Sequence, residues 1–378
     1  MAGPREPGNE AAGGQNTRRR LCVYNGGFLT QRRVRRILHL AGYDIRLGKP
    51  GPQDMVGVWG NSPTAPRGKA VARRTDAPIL RVEDAFLRSI HPGRVAGEPP
   101  LGLLLDPAGV HFDPSVPGEL ETLLATHPLD DTALLNRARE AAERLRRLDL
   151  SKYNAFDPAA AVPKPGYVLV IDQTAGDASV TASGATRATF REMLAFAEIE
   201  NPGARILIKT HPETAGGHRA GHFDADVAQG RVSFFTDAVS PWRLLEGAVG
   251  VYTVSSQLGF EAIMAGHKPR VFGQPFYGGW GLSQDENPVP RRERRLTRAQ
   301  LFAAAMILAP TWYDPFRDRL CPLEVAIDTL EAAARAWRED RAGYVAMGMR
   351  LWKRAPLQRF FGRETRLRFD DRPARAVG

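Results

Sequence analysis

The chain of 378 residues contains only two cysteines and no run of about eighteen apolar residues. Cys22 and Cys321 have no partner at the spacing of a metal site, and two cysteines cannot form a disulfide framework. The lack of a disulfide framework fits a reducing cytoplasm, where we expect the protein. Without a long apolar run, no membrane-spanning helix is predicted. The first twenty residues lack an apolar core, so they are predicted to be a disordered leader and not a signal peptide.

Positive charge is what the sequence has in excess, with a formal net charge of +10. Such an excess favours an anionic partner, which can be a phosphate, an acidic sugar, an anionic membrane or a nucleic acid. An arginine-rich genome is the alternative explanation. No nucleic-acid-binding motif accompanies the charge, so a nucleic acid is not expected as a partner.

Strands and helices alternate twice along the chain, on either side of the Pro/Ala-rich segment 152–165. This alternation is typical of parallel sheets covered by helices. We therefore predict an α/β protein with two Rossmann-like lobes facing a cleft. The predicted units are a leader (1–20), an N-terminal lobe (21–150), a C-terminal lobe (151–338) and a basic tail (339–378).

Ligands of open parallel sheets bind beyond the carboxyl ends of the strands, and polar residues follow three predicted strands of the second lobe. The first segment is QTAGDAS, which contains Gln173 and Asp177. Asp177 precedes a predicted helix, so its carboxylate is either a reactive group or a helix cap. Asp172, at the end of the strand, is a rival for the chemical role.

The second segment is KTHPE, in which Lys209 and His211 end a strand and Pro212 fixes the backbone. A histidine beside a lysine suits recognition of a phosphate, and a locally bonded loop histidine is the alternative. No carboxylate or cysteine completes a metal pattern with His211, His218 and His222, so no metal is expected.

The third segment is SSQLGFEAIMAG, where Ser255 and Ser256 stand at a predicted helix N-terminus. Hydroxyls and free N–H groups at such a terminus bind anions, although the same serines suit capping. Glu261, further along the helix, is predicted to face the cleft. In the following GQPFYGGWGL segment, Tyr277 and Trp280 are candidates for stacking on a base or sugar ring, with a packed Ω-loop as the alternative.

Taken in order, several segments resemble the capsule polysaccharide biosynthesis and export proteins of the KpsC/KpsS type, which are retaining β-Kdo transferases. The resemblance covers about residues 21 to 338. It is carried by VGVWGNSP, RVEDAFLRS, LLLDPAGVHFDPS, SKYN, QTAGDAS, KTHPE, SSQLGFEAIMAG and GQPFYGGWGL. Longer KpsC-type proteins carry two such modules, and this chain has one. The His-Pro and Ser-Ser pairs also look like those of bacterial sialyltransferases.

The resemblance implies a GT-B-like glycosyltransferase fold with the nucleotide on the C-terminal lobe. It also implies the donor CMP-Kdo, in which Kdo is an eight-carbon acidic sugar, and no metal or other cofactor. It makes Asp177 the nucleophile, Glu83 the acid/base, and His211 a phosphate contact. The remaining implied binding residues are Lys209, Ser255, Ser256, Glu261, Gln173, Asp84, Arg88, Tyr277 and Trp280. Ala85 departs from the family, which usually has glycine after the Glu-Asp pair.

The basic tail mixes arginine and lysine with leucine and aromatic residues in GMRLWKRAPLQRFFGRETRLRF. Such a segment suits an anionic membrane surface, and packing back on the first lobe is the alternative. The implied partners are a CMP-sugar donor, a lipid-linked saccharide acceptor, the inner face of the inner membrane and capsule export machinery. Two other functions stay open: a non-catalytic polysaccharide- or lipid-binding subunit, and a transferase for another CMP-activated acidic sugar.

Overall fold

The computed structural model describes residues 18–93, 98–361, 365 and 367–372. Seven strands form the first sheet: β1 (Arg19–Val23), β2 (Tyr43–Arg46), β3 (Met55–Trp59), β4 (Ile79–Asp84), β5 (Gly102–Asp106), β12 (Pro310–Asp314) and β13 (Arg319–Cys321). Their spatial order is β13-β12-β5-β4-β3-β1-β2. The strands from β2 to β4 are parallel, and β5, β12 and β13 are added antiparallel.

The helices of this part follow the predicted periodicity closely. They are α1 (Gly27–Thr30), α2 (Arg32–Leu40), α3 (Ala65–Thr75), α4 (Glu119–Thr126) and α5 (Thr132–Arg147). In α2 the apolar side chains of Val34, Ile37 and Leu38 are buried while its arginines face outward, which is the pattern of an amphipathic helix on a sheet.

The second sheet is parallel throughout and has the order β11-β10-β9-β6-β7-β8. Its strands are β6 (Tyr167–Ile171), β7 (Arg205–Lys209), β8 (Val232–Phe235), β9 (Ala248–Thr253), β10 (Arg270–Val271) and β11 (Gln284–Asp285). All five residues of β6 are buried, because helices cover both faces of the sheet. The predicted α/β fold with two lobes is confirmed.

The helices of the second half are α6 (Ala178–Ala182), α7 (Arg187–Glu200), α8 (Pro212–Ala215), α9 (Pro241–Glu246), α10 (Gln257–Ala265), α11 (Arg298–Phe302) and α12 (Leu323–Asp340). After α11 the chain continues as a π-helix over Ala303–Leu308, and a 3₁₀ turn covers Ala225–Val227. Beyond α12, β14 (Tyr344–Ala346) and β15 (Leu367–Phe369) pair in parallel on either side of α13 (Leu351–Phe361).

The predicted boundaries of the lobes need correction. Residues 310–321 were assigned to the C-terminal lobe, but β12 and β13 extend the first sheet beside β5. The chain therefore crosses back to the first lobe before it ends. Most of the predicted leader lies outside the described residues, but Arg19 and Arg20 open β1.

Residues 110–113 do not form a strand. The segment forms a turn in which the Asp113 amide donates to the Val110 carbonyl, and the Asp113 carboxylate accepts from the Ser115 amide. Short side-chain-to-backbone bonds of this kind compete with sheet pairing.

One large apolar cluster joins the two lobes. It contains side chains from the first lobe, from the second lobe and from the returning segment, among them Phe86, Leu145, Trp242, Phe260, Trp280, Phe302 and Trp312. A shared core of this kind fixes the lobes against each other, because apolar surface on both sides is removed from water. The carboxyl ends of the two sheets are thereby held in fixed positions.

Candidate functional site

The strands β6 and β9 are neighbours, and the chain leaves them in opposite directions, toward β7 and toward β10. Such a switch point opens a crevice at the carboxyl ends of the strands. Gln173 follows β6 and Ser255 follows β9, and their groups bond across the crevice. The Gln173 amide oxygen accepts from the Ser255 amide at 2.8 Å, and its amide nitrogen donates to the Ser255 hydroxyl at 3.1 Å.

Asp177 stands at the N-terminus of α6, where its Oδ1 accepts from the backbone N–H of Ser179 at 2.8 Å and from the Ser179 hydroxyl at 2.7 Å. The Ser179 and Ser255 hydroxyl oxygens are 2.9 Å apart. Since Ser179 donates to Asp177, Ser255 must be the donor in this pair. Hydrogen bonds thus run in one direction, from Gln173 through both serines to the Asp177 carboxylate.

The helix cap predicted as an alternative for Asp177 is present, and it occupies Oδ1 only. In the described part of the chain, no hydrogen bond reaches the Asp177 Oδ2. Capping by one oxygen holds the side chain in place while the other oxygen is left unbonded. The two interpretations of this residue are therefore compatible.

Asp172 has a different environment. Its side chain is buried, and its Oδ1 accepts from the backbone N–H groups of Gln173 at 2.9 Å and His222 at 3.0 Å. A Cβ on Gly221 would lie 2.1 Å from Asp172 Oδ2, so the loop closes directly over the carboxylate. Burial raises the pKa of Asp172 to about 6. These contacts indicate that Asp172 stabilises this loop.

His211 and Lys209 lie at the end of β7, next to β6. His211 caps α8, and its Nδ1 accepts from the Glu213 amide at 3.2 Å, which assigns the ring proton of the neutral form to Nε2. Burial lowers the pKa of His211. Lys209 donates to the Asp237 carbonyl at 3.0 Å, and burial lowers its pKa to about 8.

Glu83 and Asp84 are the last residues of β4 in the first lobe. The Glu83 carboxyl lies against Gly60, where a Cβ would be 1.6 Å from Oε1, and Gly60 has a φ of +36°. Any larger residue at position 60 would displace Glu83. Burial, and then the neighbouring Asp84, raise the pKa of Glu83 to about 8, and Asp177 acts in the same direction.

Arg88 fixes Asp84. Its Nε donates to Asp84 Oδ2 at 2.6 Å, and its Nη1 donates to the Ser89 hydroxyl and the Glu98 carbonyl. The other oxygen, Asp84 Oδ1, is buried and has no hydrogen-bond partner among the described residues. Ala85 is buried and does not have a positive φ, so alanine is accommodated where the family usually has glycine.

Lys152 is the important residue that the predictions missed. It lies in the SKYN segment, which was read as the start of a linker. Burial alone would lower its pKa, but Tyr153, Asp84, Asp177 and Glu83 together raise it. The carboxyl groups of both lobes therefore act on this one ammonium group. The only sequence signal was the SKYN motif itself, since an isolated lysine has no periodicity or spacing to mark it.

Three predicted ligand contacts are wrong. Tyr277 and Trp280 are fully buried, and they donate to the backbone carbonyls of Ser256 and Phe276. They form the packed loop given as the alternative. Glu261 is also buried and does not face the cleft, because its Oε1 accepts from the Ser151 hydroxyl at 2.6 Å.

Ser256 caps α10 through a bond from the Leu258 amide at 3.3 Å, so the capping alternative is confirmed for it. Phosphate binding by Ser255 and Ser256 stays a prediction. In the described ranges no group of three or more His, Cys, Asp or Glu side chains is placed to hold a metal ion. The His222 ring instead stacks on Phe190 at 3.9 Å. Likewise, no helix in those ranges is long and apolar enough to cross a membrane.

Comparison with known proteins identifies the family of this chain. The profile of the family described as "Capsule polysaccharide biosynthesis protein" matches residues 54–161 and 134–310. The chain belongs to this family. The "Capsule polysaccharide modification protein LipA" of Neisseria meningitidis serogroup B is 35% identical over 361 residues, which are 92% of this chain and 51% of that protein. The "Lipopolysaccharide-processing protein LpsZ" of Rhizobium meliloti is 37% identical over 266 residues, 69% of this chain and 60% of that protein.

Two solved structures are similar as well. The "beta Kdo 2,4 transferase" of Thermosulfurimonas dismutans KpsC is 35% identical with a TM-score of 0.77, and the match covers 83% of this chain and 98% of that one. The "beta Kdo 2,7 transferase" of the same protein, at 24% identity and a TM-score of 0.64, shares the fold. The chain spans about half the length of the Neisseria relatives. The resemblance stated from the sequence is confirmed.

The raised pKa of Glu83 predicts a pH-dependent stability. The folded-state pKa of about 8 lies above the unfolded value of about 4.3. Between these two pH values the folded protein keeps the Glu83 proton, whereas the unfolded chain has lost it. Wild-type stability therefore falls as the pH rises through this window. The substitution Glu83→Gln removes this loss, and the melting temperature of the variant minus that of the wild type should increase by several degrees from pH 5 to pH 9.

The matched control is Glu140→Gln on the exposed side of α5, whose difference from the wild type should stay flat with pH. Buried carboxyls that are not coupled to Glu83, such as Asp172, titrate equally in both proteins and cancel in the difference. A Glu83→Gln difference that is independent of pH would show that Glu83 is ionised throughout.

Proposed function

We propose that this chain is a retaining transferase that moves β-Kdo from CMP-Kdo to a saccharide acceptor, with Asp177 as nucleophile. The observation that carries the proposal is that Asp177 of the second lobe and Glu83 of the first, each held by contacts within its own lobe, lie near enough for the Asp177 charge to help raise the pKa of Glu83. The name of the 35% identical KpsC module, a beta Kdo 2,4 transferase, supports the sugar.

In the first step, an Asp177 carboxylate oxygen attacks the anomeric carbon and the bond to the phosphate oxygen breaks, so CMP leaves with the electron pair. Oδ2 is the atom suited to this attack, since Oδ1 is already bonded to Ser179. We assign the binding of the departing phosphate to His211, which has its ring proton on Nε2, and to the start of α10 at Ser255 and Ser256.

In the second step, an acceptor hydroxyl attacks the same carbon, the bond to Asp177 breaks, and Glu83 takes the hydroxyl proton. Ester formation removes the negative charge of Asp177, which is one of the causes that raise the pKa of Glu83. Glu83 consequently ionises more easily at the stage at which a base is needed. Two inversions at one carbon retain its configuration, and no metal or cofactor takes part in either step.

Asp177→Ala is expected to abolish the release of CMP and the formation of product from CMP-Kdo and a Kdo-terminated or lipid-linked acceptor, measured by chromatography. The fall should be at least about a thousandfold, as for the loss of other catalytic nucleophiles. The control is Asp226→Ala, at an exposed carboxylate outside the site, which should keep full activity. A folded Asp177→Ala protein with wild-type turnover would refute the role, and a wild type without turnover would favour a binding subunit.

We also propose that the C-terminal unit from β14 to β15 contacts an anionic membrane surface, which would bring the protein to a lipid-linked acceptor. On α13, the side chains of Leu351, Trp352 and Phe360 are 78%, 69% and 82% exposed. Lys353 and Arg359 are exposed on the same helix. Aromatic and basic side chains together favour the interface of an anionic bilayer.

Sedimentation with phosphatidylcholine vesicles, with and without phosphatidylglycerol, tests this surface. We expect binding that requires the anionic lipid and that falls at least about tenfold when Leu351, Trp352 and Phe360 are all replaced by alanine. Alanine at Leu47 and Ile199, which are 69% and 76% exposed elsewhere, is the control and should have no effect. Equal binding by both variants would contradict the assignment.

A further inference from the structure

The segment carrying Lys152 is fastened to both lobes. The Lys152 carbonyl accepts from the amides of Arg88 and Ser89 at 3.2 and 3.3 Å, directly after β4. The fully buried Asn154 donates to the carbonyls of Ser89 and Ser151. This segment is therefore part of the rigid wall of the cleft on the side of the first lobe.

The second lobe reaches the same segment through α10. The Glu261 carboxylate accepts from the Ser151 hydroxyl at 2.6 Å and from the Lys152 backbone N–H. Burial of Glu261 in this position places a carboxyl group beneath the segment and raises its pKa to about 7. The backbone of Lys152 is thus fixed from both sides, which restricts where its side chain can reach.

The ammonium group at the end of that side chain lies over the Tyr153 ring, 5.7 Å from its centroid. Among the described residues it forms no hydrogen bond and no ion pair within 4.0 Å, although it is half-buried and lies in the field of Glu83, Asp84 and Asp177. The other basic side chains of the cleft wall each donate to a protein oxygen: Arg88, Lys209 and Arg219. Compared with these three side chains of the described residues, Lys152 has an ammonium group without a protein oxygen as acceptor, so it can bind a ligand anion.

An acidic 2-keto sugar needs such a cation. Its carboxylate is bonded to the anomeric carbon, the same carbon that the Asp177 carboxylate attacks, so two negative groups must approach each other. A positive charge between them offsets the repulsion in a site of low dielectric constant. A neutral sugar has no group at this position and gains nothing from the cation.

We propose that the Lys152 ammonium binds the carboxylate on the anomeric carbon of the donor and so selects acidic 2-keto sugars. This inference rests on the proposed donor class and adds a residue to it. The cytidine monophosphate part of the donor would be bound elsewhere, by the second lobe. Loss of Lys152 should therefore weaken the sugar's binding and leave the nucleotide's binding intact.

The test compares two constants in wild type and in Lys152→Met: the KM for CMP-Kdo and the inhibition constant of free CMP. We expect the KM to rise about tenfold or more, as for the loss of a charged hydrogen bond, while the inhibition constant changes less than about twofold. Lys152→Arg should restore part of the loss. Lys164→Met, at an exposed lysine outside the cleft, should change neither constant.

The outcomes separate the two proposals. If the KM and the inhibition constant rise together in Lys152→Met, or if neither changes, Lys152 does not bind the carboxylate of the sugar. The proposed function still stands in that case. If the wild type neither uses CMP-Kdo nor binds CMP, the proposed function fails and this inference with it. Melting temperatures check that each variant folds. If Lys152→Met does not fold, the same two constants are compared between Lys152→Arg and Lys152→Gln.

Discussion

Asp177 and Glu83 come from opposite lobes, and the fixed relation of the two lobes is the constraint on which their interaction depends. Glu83 packs against Gly60 at the end of β4, and Asp177 is held by the hydrogen bond with which it caps α6. Neither could hold its position if the lobes moved freely. The apolar cluster shared by the lobes, the returning strands β12 and β13, and the segment of Lys152 all supply that rigidity.

Local signals in the sequence were sufficient to predict much of the fold and part of the candidate site. Strands such as YVLVI and RILIK are continuous apolar runs that end in polar residues, so both the parallel sheet and the position of Asp177, Lys209 and His211 at its edge were predictable. The family resemblance added Glu83, which no local pattern marks as special. The shared location of Gln173 and Ser255 follows from β6 and β9 being neighbours.

Other features depend on distant contacts and were not predictable. The strand β12 reads as a short apolar segment, and nothing in PTWYD shows that its partner is β5 in the other lobe. Tyr277 and Trp280 have the composition of a stacking site, yet they are buried because glycines let the loop fold onto α10 and the core. The role proposed for Lys152 depends on carboxyl groups that other parts of the chain bring near it: Glu83 and Asp84 from β4, and Asp177 from the start of α6.

The central claim is that Asp177 forms a covalent bond to the sugar. Mass spectrometry of the protein quenched with acid after incubation with CMP-Kdo and no acceptor tests it most directly. The account predicts a mass increase of one sugar residue, located by proteolysis on Asp177 and absent from Asp177→Ala. A sugar attached at Asp172 or elsewhere, or turnover by a folded protein in which no adduct forms, would contradict it.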